Sequence, residues 1–391
     1  MIYDPYSREM QHDPYPTYRH FLEEEPCAYN PEHDFYALFR FEDAWQAILD
    51  WQTFSSRLGP PLENRDVPGD FASILGMDPP RQKRLRNLVS RGFTPGRVAA
   101  LEPEVRRLAR GYLDALLERG GGEFQAAVSD KLPMDVISLL LGIPPEDRDR
   151  YRGWVARGLE RDPETGQPHP DGIEGMQKSR AYILDCLVER RRDPRDDLMT
   201  VIAESEYEDV DGVTKRLTEA EAASFSSLLG AAGSDTTTKL LGNCMVYLAR
   251  HPEVRERLWD DPSLIPGAVE ELLRFDTPTQ YVGRVVERDI TLHGVTIPKD
   301  ARVALVLGAA CRDPREFDAP DTLDIERRPA RQIAFGFGQH ICIGKSLARL
   351  EARIVLEEVR ERFPNYEIDE AGLTRTHQAH VRGFATVPVS F

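Results

Sequence analysis

Apolar residues recur at three- and four-residue spacing along most of the chain, which is the pattern of amphipathic helices. The clearest such stretches are GRVAALEPEVRRLARGYLDALLERG (96–120), GIEGMQKSRAYILDCLVERRR (172–192), LIPGAVEELLRF (264–275) and KSLARLEARIVLEEVRERF (345–363). The longest helix candidate starts after Thr218, which forms a capping-box pattern with Glu221, and continues to Arg250. At the usual rise per residue it would be about 50 Å long, so we expect it to cross the middle of the fold.

Alternating strand patterns are fewer and lie in the last third of the chain. RVVERDITLHGVTIPKDARVALVL (284–307) alternates around a glycine turn, and TRTHQAHVRGFATVPVSF (374–391) is predicted to form a hairpin. Residues 55–70 and 161–172 are rich in proline, glycine and charge, and we expect them to be long loops. Neither loop separates two self-sufficient halves, so residues 1–391 are predicted to form one mainly α domain with a small β part.

Composition narrows the class of protein. The chain has no apolar run of membrane-spanning length and begins with a polar, proline-punctuated segment, so we expect a soluble cytoplasmic protein that does not act at a membrane. Its five scattered cysteines contain no CxxC pair, which argues against a disulfide framework or a zinc ribbon. A formal net charge of −16 disfavours nucleic acid as a partner.

One stretch runs against that acidic balance. Between Pro79 and Leu101 there are no acids, and the basic residues there are Arg81, Lys83, Arg84, Arg86, Arg91 and Arg97. Such a run is either a solvated helix face or a docking face for an acidic partner or an anionic cofactor group.

The stretch AFGFGQHICIGKSLARLE (334–351) places Cys342 among glycines, directly before a predicted helix. Backbone N–H groups and the dipole at a helix N-terminus favour the thiolate form of a cysteine. Glycines allow the backbone to fold closely around the sulfur. From these residues alone, Cys342 could be a metal ligand, a nucleophile with His340 nearby, or a small buried residue in a capping loop.

FGFGQHICIG resembles the heme-thiolate signature of the cytochrome P-450 family, FGxGxHxCxG. The matching residues are Phe335, Gly336, Gly338, His340, Cys342 and Gly344. The resemblance implies that Cys342 is the axial ligand of heme iron, where an electron-rich thiolate favours O–O cleavage. It also implies that Phe335 shields the sulfur and that His340 reaches a heme propionate. Since the chain has no CxxCH motif, the expected cofactor is non-covalent heme b.

Further stretches match the same family in order along the chain. Glu271 and Arg274, with Arg327 in DTLDIERRPARQIAFG, correspond to a structural triad that fixes the cysteine loop. AGSDTTT in the long helix resembles the oxygen-activation motif, which implies that Asp235 and Thr236 are catalytic in proton delivery.

By resemblance, the heme propionates are bound by Arg86, in DPPRQKRLRNLVSRGFTP, and by Arg284, in TPTQYVGRVV. Ala232 of the long helix is expected to lie against the heme. Gln82 stands where the family has a histidine, which puts that contact in doubt. Gln332 and Cys311 are two further departures, where histidine and asparagine are usual.

The resemblance covers nearly the whole chain and implies the family's triangular helical prism, with heme between the long helix and the helix after Cys342. The implied function is a monooxygenase that inserts one atom of O2 into an apolar or semi-polar small molecule. Electrons would come from a separate ferredoxin and ferredoxin reductase, with NAD(P)H as the donor. By resemblance, the acid-free segment 79–101 lies on the side of the heme nearest Cys342, and Lys345, Arg349 and Arg353, at four-residue spacing on the following helix, would extend a docking face for the ferredoxin. Alternatives are a peroxide-driven enzyme and a heme-based sensor or non-catalytic binding protein. The substrate-pocket candidates by resemblance are the 55–77 loop, the 161–172 region, Leu229, Ala232, Thr279, Gln280, Val282 and Val381.

Overall fold

The computed structural model describes residues 1–63, 73–159, 170–208 and 212–391. The helices are α1 (Arg8–His12), α2 (Tyr15–Glu23), α3 (Phe41–Leu49), α4 (Arg81–Ser90), α5 (Pro95–Ala100), α6 (Glu102–Glu118), α7 (Leu132–Leu141), α8 (Pro145–Leu159), α9 (Pro170–Arg192), α10 (Leu198–Glu204), α11 (Glu219–Arg250), α12 (Pro252–Asp260), α13 (Ile265–Phe275), α14 (Leu307–Ala310) and α15 (Lys345–Arg362).

The strands are short and are spread along the chain. They are β1 (Cys27–Asn30), β2 (Phe35–Leu38), β3 (Phe54–Ser55), β4 (Gly121–Glu123), β5 (Glu206–Glu208), β6 (Thr214–Arg216), β7 (Val282–Val286), β8 (Ile290–Leu292), β9 (Val295–Ile297), β10 (Arg302–Leu305), β11 (Glu367–Ile368), β12 (Thr374–Arg375), β13 (Phe384–Thr386) and β14 (Pro388–Ser390). The expectation of a mainly α fold with a small β part is confirmed.

The long helix α11 is the centre of the fold. Thr218 caps it, with the Thr218 side chain accepting from the Glu221 N–H and the Glu221 carboxylate accepting from the Thr218 N–H. It packs against α7, α9, α13 and α15, and its residues 237–248 are buried on every side. A helix enclosed in this way needs apolar or small residues all round, which is why its sequence lacks a clear polar face.

The main sheet has the strand order β1-β2-β10-β7-β3, with β10 parallel to β2 and antiparallel to β7. The predicted glycine turn joins β8 to β9, and both His293 (φ 51°) and Gly294 (φ 80°) adopt positive φ there. The C-terminal stretch forms strands but not one simple hairpin. β13 pairs with β12, whereas β14 pairs with β4 and β11 in a separate sheet.

Three predicted segments have different bounds in the structure. The predicted helix over residues 96–120 is divided at Leu101 into α5 and α6, because Pro103 takes the N-terminal turn of a new helix, where its missing N–H costs nothing. The predicted 161–172 loop lies outside the described residues up to residue 169, and Pro170 already starts α9. Residues 64–72 of the predicted 55–77 loop also lie outside them, and Ser55 belongs to β3.

Candidate active site

The loop from Ile333 to Gly344, here the cysteine loop, is shaped by its glycines. Gly336 (φ 66°) and Gly338 (φ 61°) adopt left-handed backbone conformations that other residues enter only with strain. The Cys342 N–H donates to the Phe335 carbonyl at 2.8 Å, which closes the loop on itself. Gly344 then caps α15, so the thiol sits just before a helix N-terminus, as the sequence predicted.

The Cys342 thiol is held between opposing influences. Burial raises its pKa, while the N–H of Gly344 and the charges of Arg86, Arg349 and Lys345 lower it, with burial the larger effect. The helix terminus alone therefore does not make the expected thiolate, and a bound cation such as a metal ion would supply the missing stabilisation. Burial also raises the pKa of the other thiols, Cys27, Cys186, Cys244 and Cys311, which lie inside the protein as inert groups.

Arg86 and Arg284 form a cationic cluster beside the cysteine loop, bordered by the neutral side chains of Gln82 and of His340 in the loop. Burial lowers the pKa of Arg284 to about 10, and burial beside Arg284 and Arg86 lowers the pKa of His340 to about 3. Arg86 donates to the Ile341 carbonyl and Gln82 donates to the Gln339 carbonyl at 2.8 Å. Among the described residues, neither arginine has a carboxylate within ion-pair distance. A buried arginine, Arg284, and a half-buried one, Arg86, without acids beside them predict an anionic ligand.

Several polar atoms that border this cluster are left unsatisfied. Gln82 Oε1 and His340 Nε2 are buried and have no hydrogen-bond partner in the described part of the chain. A Cβ built on Gly344 would meet nothing within 4 Å, and Ala232 and Gly233 are exposed in the middle of the otherwise enclosed helix α11. Open space beside a half-buried cysteine, bordered by cations, fits a flat, dianionic iron porphyrin. The residues present therefore fit heme.

Glu271, Arg274 and Arg327 form one buried ion cluster. Two hydrogen bonds join Glu271 to Arg274, at 2.7 and 2.8 Å, and Arg327 Nε lies 3.2 Å from each Glu271 oxygen. The side chains of Arg274 and Glu271 are 0 % and 2 % exposed, which separates them from surface pairs of the same spacing. Arg274 also donates to the backbone carbonyl of Cys311, whose side chain is buried in the main core. The cluster ties α13 to the segment that leads into the cysteine loop.

Asp235 and Thr236 lie side by side on α11, next to the exposed Ala232. The Thr236 hydroxyl donates to the Ala232 carbonyl at 3.1 Å, so an alternative acceptor must compete with the helix backbone for it. The Asp235 carboxylate lies 3.5 Å from Lys239 Nζ, and both side chains are only partly exposed. The structure thus brings the acid and the alcohol to the open side of the helix.

The substrate-pocket candidates differ in their burial and in their contacts. Thr279 and Val381 face each other in an isolated β-bridge, and Thr279 and Val282 are half-buried. Leu229 is 7 % exposed and packs in the main core. Gln280 is turned toward the N-terminal helix α2, where it accepts from the Tyr18 hydroxyl at 2.8 Å. This contact argues against Gln280 as a substrate contact.

The predicted docking face, which consists of the basic residues of 79–101 and of α15, carries less unpaired positive charge than the sequence suggested. Arg349 forms an ion pair with Glu270 at 2.5 Å, and Arg353 pairs with Glu102 and Glu357, so these two arginines add little free charge. Arg81 pairs with Glu221. Lys83 and Arg91 are exposed and, within the described residues, form no ion pair.

Two features of the site were missed from the sequence. Trp45 of α3 stacks on Phe337 of the cysteine loop, with ring centroids 3.9 Å apart. No local pattern indicates this contact, because the two rings are almost three hundred residues apart in the chain. Glu351 of α15 is fully buried with Oε2 unpartnered in the described part of the chain, and burial raises its pKa to about 8. Its place on the buried face of an amphipathic helix was the available signal.

Comparison with known proteins identifies the family. The cytochrome P-450 family model matches residues 263–385. A protein of Mycobacterium tuberculosis described as cytochrome P-450 123 is 39 % identical over 394 residues, covering 100 % of this chain and 97 % of that protein. The chain belongs to the cytochrome P-450 family. It is therefore an oxidoreductase of the monooxygenase type, and its cofactor is heme b.

Solved structures of cytochrome P-450 proteins share this fold. That of CYP109Q5 from Chondromyces apiculatus matches with a TM-score of 0.89 and 33 % identity, covering 99 % of this chain and 97 % of that one. A further relative, found by sequence, is the vitamin D(3) 25-hydroxylase of Pseudonocardia autotrophica, which is 34 % identical over 398 residues, covering 99 % of this chain and 96 % of that enzyme. The expected cytochrome P-450 fold is confirmed. Within the described residues, no helix combines the length and the apolarity that crossing a membrane demands.

Proposed function

We propose that this cytochrome P-450 inserts one atom of O2 into an apolar or semi-polar small molecule, with electrons delivered by a separate ferredoxin and its reductase. The observation that carries the proposal is Cys342 in a glycine-shaped loop, beside the buried Arg284 and the half-buried Arg86, neither of which has a carboxylate partner among the described residues. The relatives support an apolar substrate, since one is described as a vitamin D(3) 25-hydroxylase. A related structure, P450BioI at 30 % identity, holds an acyl carrier protein that carries hexadec-9Z-enoic acid.

Each part of the site has a task in this reaction. Cys342 would ligate the heme iron, and Arg86, Arg284 and His340 would bind the propionates, with Gln82 able to offer one further hydrogen bond. When bound, the heme supplies the iron chemistry that activates O2. Gly344 and Ala232 leave the room that a flat ring system needs, and Gly336 allows the left-handed turn of the loop beside it.

Thr236 and Asp235 would move protons. The Thr236 hydroxyl can turn from the Ala232 carbonyl toward a ligand or water on the open side of α11, and so donate a hydrogen bond there. Asp235 can exchange a proton with water as its contact with Lys239 loosens. This acid–alcohol pair favours an oxygen-activating enzyme over a sensor or a peroxide-driven enzyme, neither of which needs two delivered protons.

Lys83 and Arg91 offer the ferredoxin a positive contact. Both are exposed, and a field from such charges steers an acidic partner over the screening length of about 8–10 Å. Arg349 and Arg353 are not part of this surface, because acids already neutralise them.

The test is the spectrum of the reduced protein with carbon monoxide, which reports thiolate ligation directly. Cys342→Ala should lose the thiolate band and all oxygen insertion. Cys186→Ala and Cys244→Ala should keep both, because those thiols are buried elsewhere. A thiolate-type spectrum in Cys342→Ala would overturn the assignment. If no NADH is consumed with a surrogate ferredoxin and reductase, whichever substrate is screened, the sensor is favoured.

A further inference from the structure

A column of stacked side chains connects the Glu271 cluster to the cysteine loop. The Arg274 guanidinium lies 5.3 Å from the ring centroid of Phe317, which meets Phe41 edge-on at 5.7 Å. Phe41 stacks with Trp45 at 5.5 Å, and Trp45 stacks on Phe337 at 3.9 Å with only 26° between the ring planes. These five residues are the aromatic column.

Phe337 anchors the cysteine loop to helix α3 by side-chain contact. Its neighbours, Gly336 and Gly338, have positive φ and no side chains, so they cannot anchor the loop by packing. A Cβ on Gly338 would lie 3.3 Å from the Leu49 side chain, which shows how closely the loop backbone approaches α3. The ring of Phe337, seated on Trp45, therefore holds this turn of the loop by side-chain contact.

Arg331 packs against the same part of the column from the chain entering the loop. Its guanidinium lies 4.8 Å from the Phe41 ring centroid and 5.3 Å from that of Trp45. Ion pairs with Glu316 at 2.5 Å and Glu42 at 2.8 Å hold it there. Trp45 thus contacts both the entry to the cysteine loop and the turn that precedes Cys342.

We propose that Trp45 is a positioning residue that holds the cysteine loop in the conformation in which Cys342 ligates the heme iron. Trp45 does not touch the sulfur and acts through Phe337. This inference rests on the proposed function, since it concerns the same thiolate. A stacked aromatic pair contributes about 0.5–1.5 kcal/mol beyond the burial of its area. Loss of the stack should therefore accelerate escape of the loop roughly 2- to 12-fold.

The experiment follows thiolate ligation in the heme-loaded protein under mild urea. The decay of the thiolate band of the reduced carbon monoxide complex is timed for wild type, Trp45→Phe, Trp45→Leu and Trp45→Ala. Trp45→Phe keeps a ring and should stay near the wild-type rate. Trp45→Leu fills much of the space without a ring, so its thiolate band should decay roughly 2- to 12-fold faster than that of wild type. The band of Trp45→Ala should decay at least as fast as that of Trp45→Leu. Hydrogen exchange at the Cys342 N–H should rise in the same order.

Two controls separate positioning from general destabilisation. Trp51→Leu removes another half-buried tryptophan a few residues along, and should leave the decay rate unchanged. Helical unfolding in urea is measured on every variant. The inference is overturned if Trp45→Leu decays at the wild-type rate, or if Trp51→Leu accelerates decay as much. If wild type shows no thiolate band, the proposed function itself fails, so the two failures are distinguishable. Should Trp45→Ala not fold, the Phe and Leu variants decide the question.

Discussion

Replacing Glu271 by glutamine should show how much a buried ion cluster holds this fold together. The substitution keeps the shape of the side chain and removes its charge. Arg274 would remain inside the protein at 0 % exposure, with only carbonyl acceptors such as those of Cys311 and Pro320. Removing one partner of a buried pair costs about 3–5 kcal/mol. Because the remaining carbonyls still accept from Arg274, we expect the lower end of that range.

The chain offers a matched control in Glu104→Gln. Glu104 and Arg107 have the same three-residue spacing and also form a bidentate ion pair, but their side chains are 38 % and 63 % exposed. A pair in contact with water contributes only about 0–1 kcal/mol. The two ion pairs have the same sequence spacing, so we attribute any difference between the two losses of stability to burial.

The assay is urea unfolding of the heme-loaded protein, followed by helical circular dichroism and by the thiolate band. Glu271→Gln should unfold at clearly lower urea than wild type, and the thiolate band should disappear first, since the cluster ties α13 to the segment before the cysteine loop. Glu104→Gln should be within about 1 kcal/mol of wild type. Equal, small losses in both variants would refute the reasoning that the Glu271 cluster is a buried, stabilising tie.

Three further outcomes are expected. Thr236→Ala should bind heme and substrate nearly as wild type does but release peroxide and form less product per NADH, and an unchanged yield per NADH would exclude a role in proton delivery. Because burial raises the pKa of Glu351 to about 8, the folded protein holds a proton there that the unfolded chain releases near its ordinary pKa. Stability should therefore fall as the pH rises from about 5 to 8, by up to about 1.4 kcal/mol per unit, and Glu351→Gln should flatten that slope in urea titrations at several pH values. Lys83→Glu with Arg91→Glu should slow reduction by an acidic ferredoxin at low salt, and added salt should shrink the difference; a rate insensitive to both places the docking site elsewhere.

Features that depend on neighbouring residues in the chain were predictable from the sequence. Thr218 and Glu221 are three residues apart and indicated where α11 begins, and the glycines around Cys342 indicated a tight loop before a helix. Features that depend on distant residues were not. Gln280 was expected in the substrate pocket, but Tyr18, 262 residues away, takes its side chain as a hydrogen-bond partner.

For charged residues too, contacts with residues distant in the chain could not be predicted from the sequence. Arg349 and Arg353 repeat at four-residue spacing and looked available for docking, yet Glu270 and Glu102 reach them from other helices. Spacing along a helix specifies which face a residue occupies, but it does not specify what packs against that face. The stack of Trp45 on Phe337 was hidden for the same reason.

The cationic cluster around Arg86 and Arg284 has a consequence for the abundance of the protein. Until heme arrives, the chain must enclose positive charge that has no acid to balance it among the described residues. A ligand that binds only the folded form stabilises it by mass action, more strongly as the free ligand concentration rises. The amount of intact protein in a cell should therefore follow the supply of heme, so that a shortage of the cofactor removes the polypeptide as well as its activity.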